Sequence, residues 1–183
     1  MKDNWKIVKV NGADVKEFIE DLHYLGVQCR GNMHNFALFE DARLIGAACF
    51  GEPVGTNVKR QYGDSTIELK RFVLKPDLPK NSASWFLSRC LKQLQGLADQ
   101  CISYADPEAG HEGTMYKAAN FDYLGDQQYR TPYVVYKKKV VYARNIYNGS
   151  ERGDAIKQLI KDKKIKIQWK QPKHIFMYDL KRG

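Results

Sequence analysis

The stretch TIELKRFVLKPDLPKNSASWFLSRCLKQLQGL, residues 66–97, decides the fold, because its hydrophobic period changes midway. Its first part is a short, partly alternating apolar run, typical of a half-buried strand, that holds Ile67, Leu69, Phe72 and Leu74. Two prolines then interrupt the chain. Beyond them the apolar residues recur at helical spacing, at Trp85, Phe86, Cys90, Leu91, Leu94 and Leu97. We therefore predict a strand that leads directly into a helix.

The joint between these two elements is small, polar and rich in residues that cap helices, and it reads Lys80, Asn81, Ser82, Ala83, Ser84. The first N–H groups of a helix and its dipole both favour negative charge. The joint thus predicts an anion site, with a phosphate-bearing donor as the candidate ligand. The alternative is a well-capped helix after a strand that binds nothing.

The overall composition is that of one globular domain, with 183 residues of which 43% are hydrophobic and 28% charged. No apolar run approaches the roughly 18 to 20 residues of a membrane span. The first residues, MKDNWKIVKV, lack the apolar core of a signal peptide. We therefore expect a cytoplasmic protein without a membrane partner. Four widely spaced cysteines with no CxxC pair argue against a zinc knuckle or a redox motif.

The charge is more informative than the composition. A net charge of +9 favours a nucleic-acid partner, because basic surfaces gain affinity by releasing counterions from phosphates. Eleven tyrosines and three tryptophans add possible stacking platforms. The candidates for contacts to a DNA backbone are Lys137, Lys138, Lys139, Arg144 and Lys173, with Arg152, Lys163, Lys164 and Lys166 as further ones. The alternative for these residues is a solvated basic face.

Hydrophobic periodicity predicts the remaining elements. The expected strands cover residues 5–10, 36–40, 44–50, 101–105, 121–124, 133–142, 165–169 and 175–180. The expected helices cover residues 13–24, 110–119 and 152–161, and residues 28–35 and 51–63 are predicted as loops. Strands that alternate with helices in this way indicate an α/β or α+β class with helices flanking a mixed sheet.

The order of these elements resembles the acyl-CoA N-acyltransferase (GNAT) fold, in which a central strand, a donor loop and a helix follow one another. The sequence Tyr116-Lys-Ala-Ala-Asn-Phe121 is similar to the Tyr-x-x-x-Gly-Phe pattern of that family. Asn120 stands at the usual glycine, and asparagine is the next-best residue for a left-handed helix terminus. The resemblance implies a single domain, residues 1–183, with a core of residues 5–142 and a C-terminal extension of residues 143–183.

A narrower resemblance is to the phage Mom family. It rests on SYADP at residues 103–107, GHEGT at residues 110–114 and YKAANFDYLG at residues 116–125, together with His23-Tyr24 and PKH at residues 172–174. Members of that family place a carbamoylmethyl (acetamido) group on N6 of adenine in phage DNA and so protect the genome from restriction. The resemblance therefore implies a transferase whose partner is double-stranded phage DNA.

The resemblance to the GNAT fold implies which residues bind the donor. These are Val73, Leu74, Lys80, Asn81, Ser82, Ala83 and Ser84, and the donor is acetyl-CoA or another acyl or glycyl carrier. The segment 80–84 contains no glycine, unlike the glycine-rich donor loop of most GNAT enzymes. Two alternatives remain open, namely a carrier other than coenzyme A and a loop that binds its ligand with side chains.

Tyr116 and Asp106 are the first candidates for the chemistry. The tyrosine that matches Tyr116 in related transferases faces the donor thioester, and a phenol there can protonate a leaving group. Asp106 ends a predicted strand, where carboxylates often line a ligand crevice, and it could accept a proton from the adenine amine or orient that amine. The structural alternatives are a tyrosine packed under the sheet and an aspartate that caps the next turn.

Glu68 and Arg71 lie on the predicted central strand, where unpaired charge is seldom buried. Glu68 is a candidate general base, and Arg71 is a candidate for binding a phosphate or the substrate. Their separation of three residues places them on opposite faces of the strand unless a bulge intervenes. Ser103 and Tyr104, two further substrate-binding candidates, must likewise point to opposite faces, so only one can reach the site.

His23 and Tyr24 close the first predicted helix, which in this fold borders the acceptor cleft. A histidine can move a proton near neutral pH, and a tyrosine can stack on a base extruded from DNA. We therefore count His23 as a catalytic candidate and Tyr24 as a substrate-binding one. His111-Glu112 lacks the second histidine of an HExxH zinc helix, and no other spacing demands a metal.

Three functions remain open on the sequence. The first is a GNAT-like transferase that modifies adenine N6 in DNA. The second is an N-acetyltransferase acting on a protein or a small-molecule amine. The third is a basic DNA-binding protein that keeps the fold without catalysis.

Overall fold

The computed structural model of the protein describes residues 4–29, 31–55 and 57–182, without the side chains of Asn32 and Arg144. The strands in these ranges are β1 (Trp5–Val10), β2 (Asn32–Glu40), β3 (Arg43–Gly51), β4 (Thr66–Leu74), β5 (Gln100–Ala105), β6 (Asp122–Asp126), β7 (Pro132–Tyr136), β8 (Lys139–Tyr142), β9 (Gln168–Trp169) and β10 (His174–Asp179). The α-helices are α1 (Lys16–Leu22), α2 (Val58–Tyr62), α3 (Ser82–Leu94), α4 (Thr114–Ala118), α5 (Ala143–Ile146) and α6 (Glu151–Lys161).

The chain forms two compact units. The first comprises residues 1–105, 113–124 and 175–183, and the second comprises residues 106–112 and 125–174. The larger sheet has seven strands in the order β1-β2-β3-β4-β5-β10-β6, antiparallel from β1 to β4 and parallel between β4 and β5. The smaller sheet has the order β8-β7-β9. The predicted class, helices flanking a mixed sheet, is therefore confirmed, whereas the single domain stays a prediction.

The main core of the first unit lies between α3 and one face of the large sheet. Phe86, Leu87, Cys90, Leu91 and Leu94 of α3 are fully buried, as their helical spacing predicts. Gly46 on β3 permits this close approach, because a Cβ atom there would collide with the side chain of Leu74. A second, smaller core packs α1 against the other face of the sheet.

A bulge in β4 explains the changing spacing of its apolar residues. Leu69 pairs with Phe50 and Arg71 with the adjacent Cys49, so Lys70 is an extra residue on β4. The extra residue reverses the alternation, and Phe72 therefore faces the same core as Leu69. The pairing of β4 with β5 ends nearby, since along the described residues it extends from Thr66 only to Glu68. Beyond Glu68 the two strands separate.

Several predicted bounds are wrong, for local reasons. The first helix begins with a 3-10 turn at Gly12–Val15, and α1 ends at Leu22, because His23 adopts an extended conformation. The predicted helix 110–119 is limited to α4, since Gly113 has a left-handed conformation immediately before it. Residues 133–142 form two strands rather than one, with both Lys137 and Lys138 at positive φ. The two predicted loops, residues 28–35 and 51–63, are also wrong in part, because β2 already begins at residue 32 and α2 lies within 51–63.

Candidate functional site

A cavity of about 370 Å³ lies at the N-terminus of α3, within the first unit. It is lined by the end of β4, the joint that follows it and the exposed side of α4, through Leu74, Lys75, Asp77, Leu78, Pro79, Asn81, Ser82, Ala83, Ser84, Thr114, Met115 and Ala118. The predicted donor residues Leu74 and Asn81 to Ser84 are among them. Val73 and Lys80 are not, and Val73 is buried in the smaller core instead.

The start of α3 has the properties of an anion site. Asn81 caps the helix with a left-handed backbone, at φ 65°, and the first turn contains no acidic residue. The Ser82 hydroxyl donates back to the Pro79 carbonyl, and the Ser84 hydroxyl donates to the Asn81 carbonyl over 3.3 Å. These contacts fix the turn, while the first N–H groups of the helix have no acceptor within the helix. Lys75 adds a positive charge to the cavity wall and Asp77 a negative one.

Tyr116 lies on α4, the helix that supplies the other wall of this cavity. Its ring packs against Phe121 and Phe176, with centroids 5.3 Å and 5.1 Å away. Its hydroxyl accepts a hydrogen bond of 2.8 Å from the Ser103 hydroxyl. Burial raises the pKa of Tyr116 to about 12, although the Ser103 hydrogen bond opposes the rise. The phenol therefore stays protonated near neutral pH and can act as a proton donor.

Ser103 and Tyr104 point to opposite faces of β5, as predicted. Ser103 is buried and faces Tyr116, and its hydroxyl also lies 3.5 Å from the Leu69 carbonyl, beside the gap where β4 and β5 separate. Tyr104 faces the other side. Burial raises its pKa, and the nearby Glu68 and Tyr62 add to that rise. Of these two residues, Ser103 is therefore the one whose side chain lies on the face of β5 that contacts Tyr116.

The bulge in β4 brings Glu68 and Arg71 to the same face, because their partners on β3, Gly51 and Cys49, are two residues apart. Glu68 accepts a hydrogen bond of 2.9 Å from the Val54 backbone N–H. Arg71 donates from Nε to the Val27 carbonyl over 2.9 Å and from Nη1 to the Lys70 carbonyl over 2.7 Å. Arg71 thus fixes the segment that follows α1, a role that sequence analysis did not anticipate.

His23 and Tyr24 lie on this segment. Their rings are stacked, with centroids 4.6 Å apart and planes at 28°. The His23 Nδ1 atom accepts a hydrogen bond of 3.2 Å from the Leu25 N–H, so a proton on this ring resides on Nε2. Tyr24 is half exposed. Tyr24 and Glu68 both contribute to the raised pKa of Tyr116, which places the three side chains within electrostatic range of one another.

Asp106 belongs to the second unit, and only 7% of it is exposed. Its Oδ1 atom caps a 3-10 turn at Pro107–Ala109 by accepting from the Glu108 N–H, and its Oδ2 atom lies 3.5 Å from Lys173 Nζ. Glu108 pairs in turn with Lys170 at 2.7 Å, which lowers the pKa of Glu108. The contacts of Asp106 are therefore those of a residue that caps the next turn, which was the structural alternative for it. Lys173, a predicted DNA contact, lies beside the Asp106 carboxylate.

The second unit carries most of the net positive charge. Its 57 residues hold 13 of the chain's 30 lysines and arginines but only seven of its 21 acidic residues. Lys137, Lys138 and Lys139 are all exposed at the β7–β8 turn. The side chain of Arg144 lies outside the described residues. Among the residues that are described, no three potential ligands of the His, Cys, Asp and Glu types meet at a metal site.

Comparison with solved structures identifies the fold. Spermidine N-acetyltransferase from Vibrio cholerae, in complex with CoA and spermine, has a TM-score of 0.56 at 10% identity and covers 97% of this chain and 96% of its own. A GNAT family acetyltransferase from Elizabethkingia anophelis with acetyl-CoA bound has a TM-score of 0.53 at 10% identity, covering 97% and 99%. The fold is that of the GNAT acetyltransferases, as predicted.

Sequence comparison identifies the family. The model of the Mom protein family matches residues 4–183, and the chain belongs to that family. The methylcarbamoylase mom of Escherichia phage Mu is 28% identical over 121 residues, which is 62% of this chain. The match spans about half the length of that relative (50%). The predicted resemblance to the Mom family is thus confirmed. The name of that relative describes an enzyme, a methylcarbamoylase. Among the described residues, no helix has the length and apolar character to cross a membrane.

Proposed function

We propose that the protein is a transferase that modifies N6 of adenine in double-stranded phage DNA with a carbamoylmethyl group and thereby protects that DNA from restriction. The observation that carries the proposal is the partly buried Tyr116 phenol, hydrogen-bonded to Ser103, on the helix that lines the cavity at the start of α3. Membership of the Mom family supports the reaction, and the basic second unit supports DNA as the partner.

The cavity fits the anionic end of an acyl carrier. The N-terminus of α3 offers N–H donors without an acidic residue in its first turn, and Lys75 adds a cation. The backbone N–H groups of Ala83 and Ser84 would hold the phosphates, because the Ser82 N–H and both serine hydroxyls donate to the Pro79 and Asn81 carbonyls. Two of the GNAT structures that resemble this fold contain CoA or acetyl-CoA, which supports a carrier of that type. A bound carrier would supply the carbamoylmethyl group through a bond to its methylene carbon, and that bond would break as the N6–carbon bond forms, with its electron pair leaving on the carrier.

We assign each proton transfer of the proposed reaction to a particular side chain. Tyr116 donates its phenolic proton to the departing group, and its raised pKa keeps that proton available at neutral pH. Glu68 is assigned to accept the proton that N6 loses as its new bond to carbon forms, because the His23 Nδ1 atom already accepts from the Leu25 N–H. Ser103 orients the Tyr116 hydroxyl through the 2.8 Å hydrogen bond. Asp106, which caps the turn after β5 within the second unit, is kept as a separate candidate for orienting the adenine amine.

An adenine amine inside the double helix is out of reach of a side chain in such a site. The protein must therefore extrude the base, and the exposed Tyr24 ring is suited to stack on it. The hydrogen bond from Arg71 to the Val27 carbonyl would hold the segment that carries this ring in place.

The proposal is tested by expressing the protein in cells and digesting the plasmid DNA with restriction enzymes that are sensitive to adenine modification. We expect resistant DNA from wild type and from Tyr129→Phe, which changes a tyrosine that is 82% exposed. We expect sensitive DNA from Tyr116→Phe. Sensitive DNA from the wild-type protein, in cells where it is folded and abundant, would exclude the proposal and favour an amine acetyltransferase.

A further inference from the structure

The β7–β8 hairpin of the second unit has one open face with no role in the site described above. Its register pairs Tyr133 with Tyr142 and Val135 with Val140 on one face. On the opposite face Val134 and Val141 are buried against Ile146 and Ile156 of α5 and α6. One face therefore anchors the hairpin to its own core, and the other is presented outward.

The open face is apolar where a soluble sheet is expected to be polar. Val135 and Val140 are 44% and 51% exposed, although they are direct cross-strand partners. Behind them the rings of Tyr133 and Tyr142 lie 6.5 Å apart. The third strand, β9, pairs only with Pro132 and Tyr133, so the exposed valines lie on the part of the hairpin that is two-stranded.

The tip beyond this face carries three consecutive lysines and no acid. Lys137 and Lys138 form the two-residue turn, with φ values of 49° and 62°, where asparagine and glycine are the residues normally favoured. Lys137 Nζ lies 5.4 Å and the Arg152 guanidinium 6.0 Å from the centre of the Tyr136 ring. From Pro132 to Tyr142 the sequence PYVVYKKKVVY contains no carboxylate. The positive charge at this tip therefore complements a polyanion. Lysine is not a residue that the left-handed backbone of this turn favours, so the backbone conformation does not explain its presence there.

We propose that the open face of the β7–β8 hairpin lies in the major groove of double-stranded DNA, with Val135 and Val140 against thymine methyl groups and the Lys137–Lys139 tip on the phosphates. This inference rests on the proposed function, in which DNA is the substrate. The major groove is about 12 Å wide and admits a two-stranded ribbon, whereas the minor groove, at about 6 Å, does not. The major groove also displays the thymine methyl group, the apolar group that a pair of exposed valines would contact.

The test measures binding of the full-length protein to a duplex and to the same duplex with uracil in place of thymine, over a range of salt concentrations. We expect Val135→Ser with Val140→Ser to weaken binding to the thymine duplex about tenfold, with an unchanged salt dependence. The uracil duplex should bind the wild-type protein about as weakly, and the double variant should lose little further affinity on it. Leu97→Ser, on another exposed apolar residue, is the control.

The lysines are tested separately. Lys137→Gln with Lys138→Gln should reduce the slope of log affinity against log salt by about 2, because each phosphate contact contributes about 0.9. Lys92→Gln, an exposed lysine on α3, should leave the slope unchanged. Wild-type affinity in the valine double variant, or an equal loss on both duplexes, would overturn the inference while leaving the proposed function intact. No binding of wild-type protein to either duplex would overturn both.

Discussion

Tyr116 combines a buried ring, a hydrogen bond from Ser103 and a raised pKa at the edge of the cavity. A phenol in these surroundings stays protonated at neutral pH, so its proton is present when a departing group takes it, and the resulting phenolate recovers a proton readily. The neighbouring aromatic rings of Phe121 and Phe176 hold it in place. The chemistry that we assign to the site therefore depends on one oxygen atom whose position is fixed by packing.

Removing that oxygen should abolish most of the activity without unfolding the protein. Tyr116→Phe keeps the packing of the ring and loses the proton donor, so we expect the rate of DNA modification to fall by about 10²- to 10⁴-fold. The rate is measured as modified DNA formed per unit of protein. Tyr129→Phe, at a tyrosine that is 82% exposed, is the matched control for loss of a phenolic hydroxyl. A Tyr116→Phe variant with wild-type activity would show that another group donates the proton.

The raised pKa of Tyr116 also predicts how stability depends on pH. An unfolded tyrosine ionises near pH 10, while Tyr116 in the folded protein ionises at about 12. The folded state is therefore unaffected below pH 10 and loses up to about 3 kcal/mol of stability as the pH rises from 10 to 12. Urea unfolding at pH 8 and pH 11 should show a larger loss for wild type than for Tyr116→Phe. Equal losses in both proteins would contradict the assignment.

At the scale of elements, α4 is positioned by the glycine that precedes it. Gly113 adopts a left-handed conformation with φ 78°, and a Cβ atom there would collide with the Phe176 ring that packs against Tyr116. We expect Gly113→Ala to lower the free energy of unfolding by about 2 to 4 kcal/mol, since it adds overpacking to backbone strain. Gly110→Ala is the control, because Gly110 has a similar φ of 75° but open space around it. A urea melt in which the two variants lose equal stability would contradict the packing argument.

Arg71 links β4 to the segment that carries His23 and Tyr24. Because its guanidinium donates to the Val27 carbonyl, Arg71→Lys should free that segment while preserving the charge. Faster amide hydrogen exchange at residues 24–28, with unchanged exchange in α3, is the expected result. Unchanged exchange in both regions would show that other contacts, such as that of Gln28 with the Gly12 carbonyl, suffice to hold the segment.

The elements differ in how far the sequence predicted them. The strand and the helix within residues 66–97 were predicted from the spacing of their apolar residues, because packing against one core determines which positions are apolar. The spacing of the apolar residues changes from two to three between Leu69 and Phe72, and this change results from the β4 bulge. A single three-residue spacing does not by itself identify a bulge in a sequence. The Lys137-Lys138 turn could not be predicted, since lysine is a poor residue for positive φ and tertiary contacts override that preference.

The same reasoning applies to the site. Tyr116 was predicted from a resemblance and the start of α3 from capping residues. The start of α3 lines the cavity, and Tyr116 lies on α4, the helix whose other residues line it. Thr114, Met115 and Ala118 were missed, because they line the cavity through the fold alone and carry no chemical signature. The contact of Arg71 with the Val27 carbonyl and that of Asp106 with Lys173 were out of reach, because each joins residues far apart in the sequence. The capping contact of Asp106 is local, and the sequence had indicated it as an alternative.

At the scale of the whole molecule, the charge is unevenly distributed. The second unit contributes +6 of the net charge of +9, although it contains fewer than a third of the residues. We expect binding to duplex DNA to weaken steeply with salt, roughly a hundredfold or more between 50 mM and 200 mM if about five phosphates are contacted. Fluorescence anisotropy with a labelled duplex measures this directly. A flat response across that range would contradict a binding surface made of lysine and arginine.

The central claim is that the protein forms a modified adenine. Its most direct test is mass spectrometry of nucleosides from the DNA of cells that express the wild-type protein or Tyr116→Phe. The account predicts an adenine nucleoside carrying a carbamoylmethyl group on N6 in the first sample and its near absence in the second. Unmodified adenine in the wild-type sample, with the protein folded and present, would contradict the account.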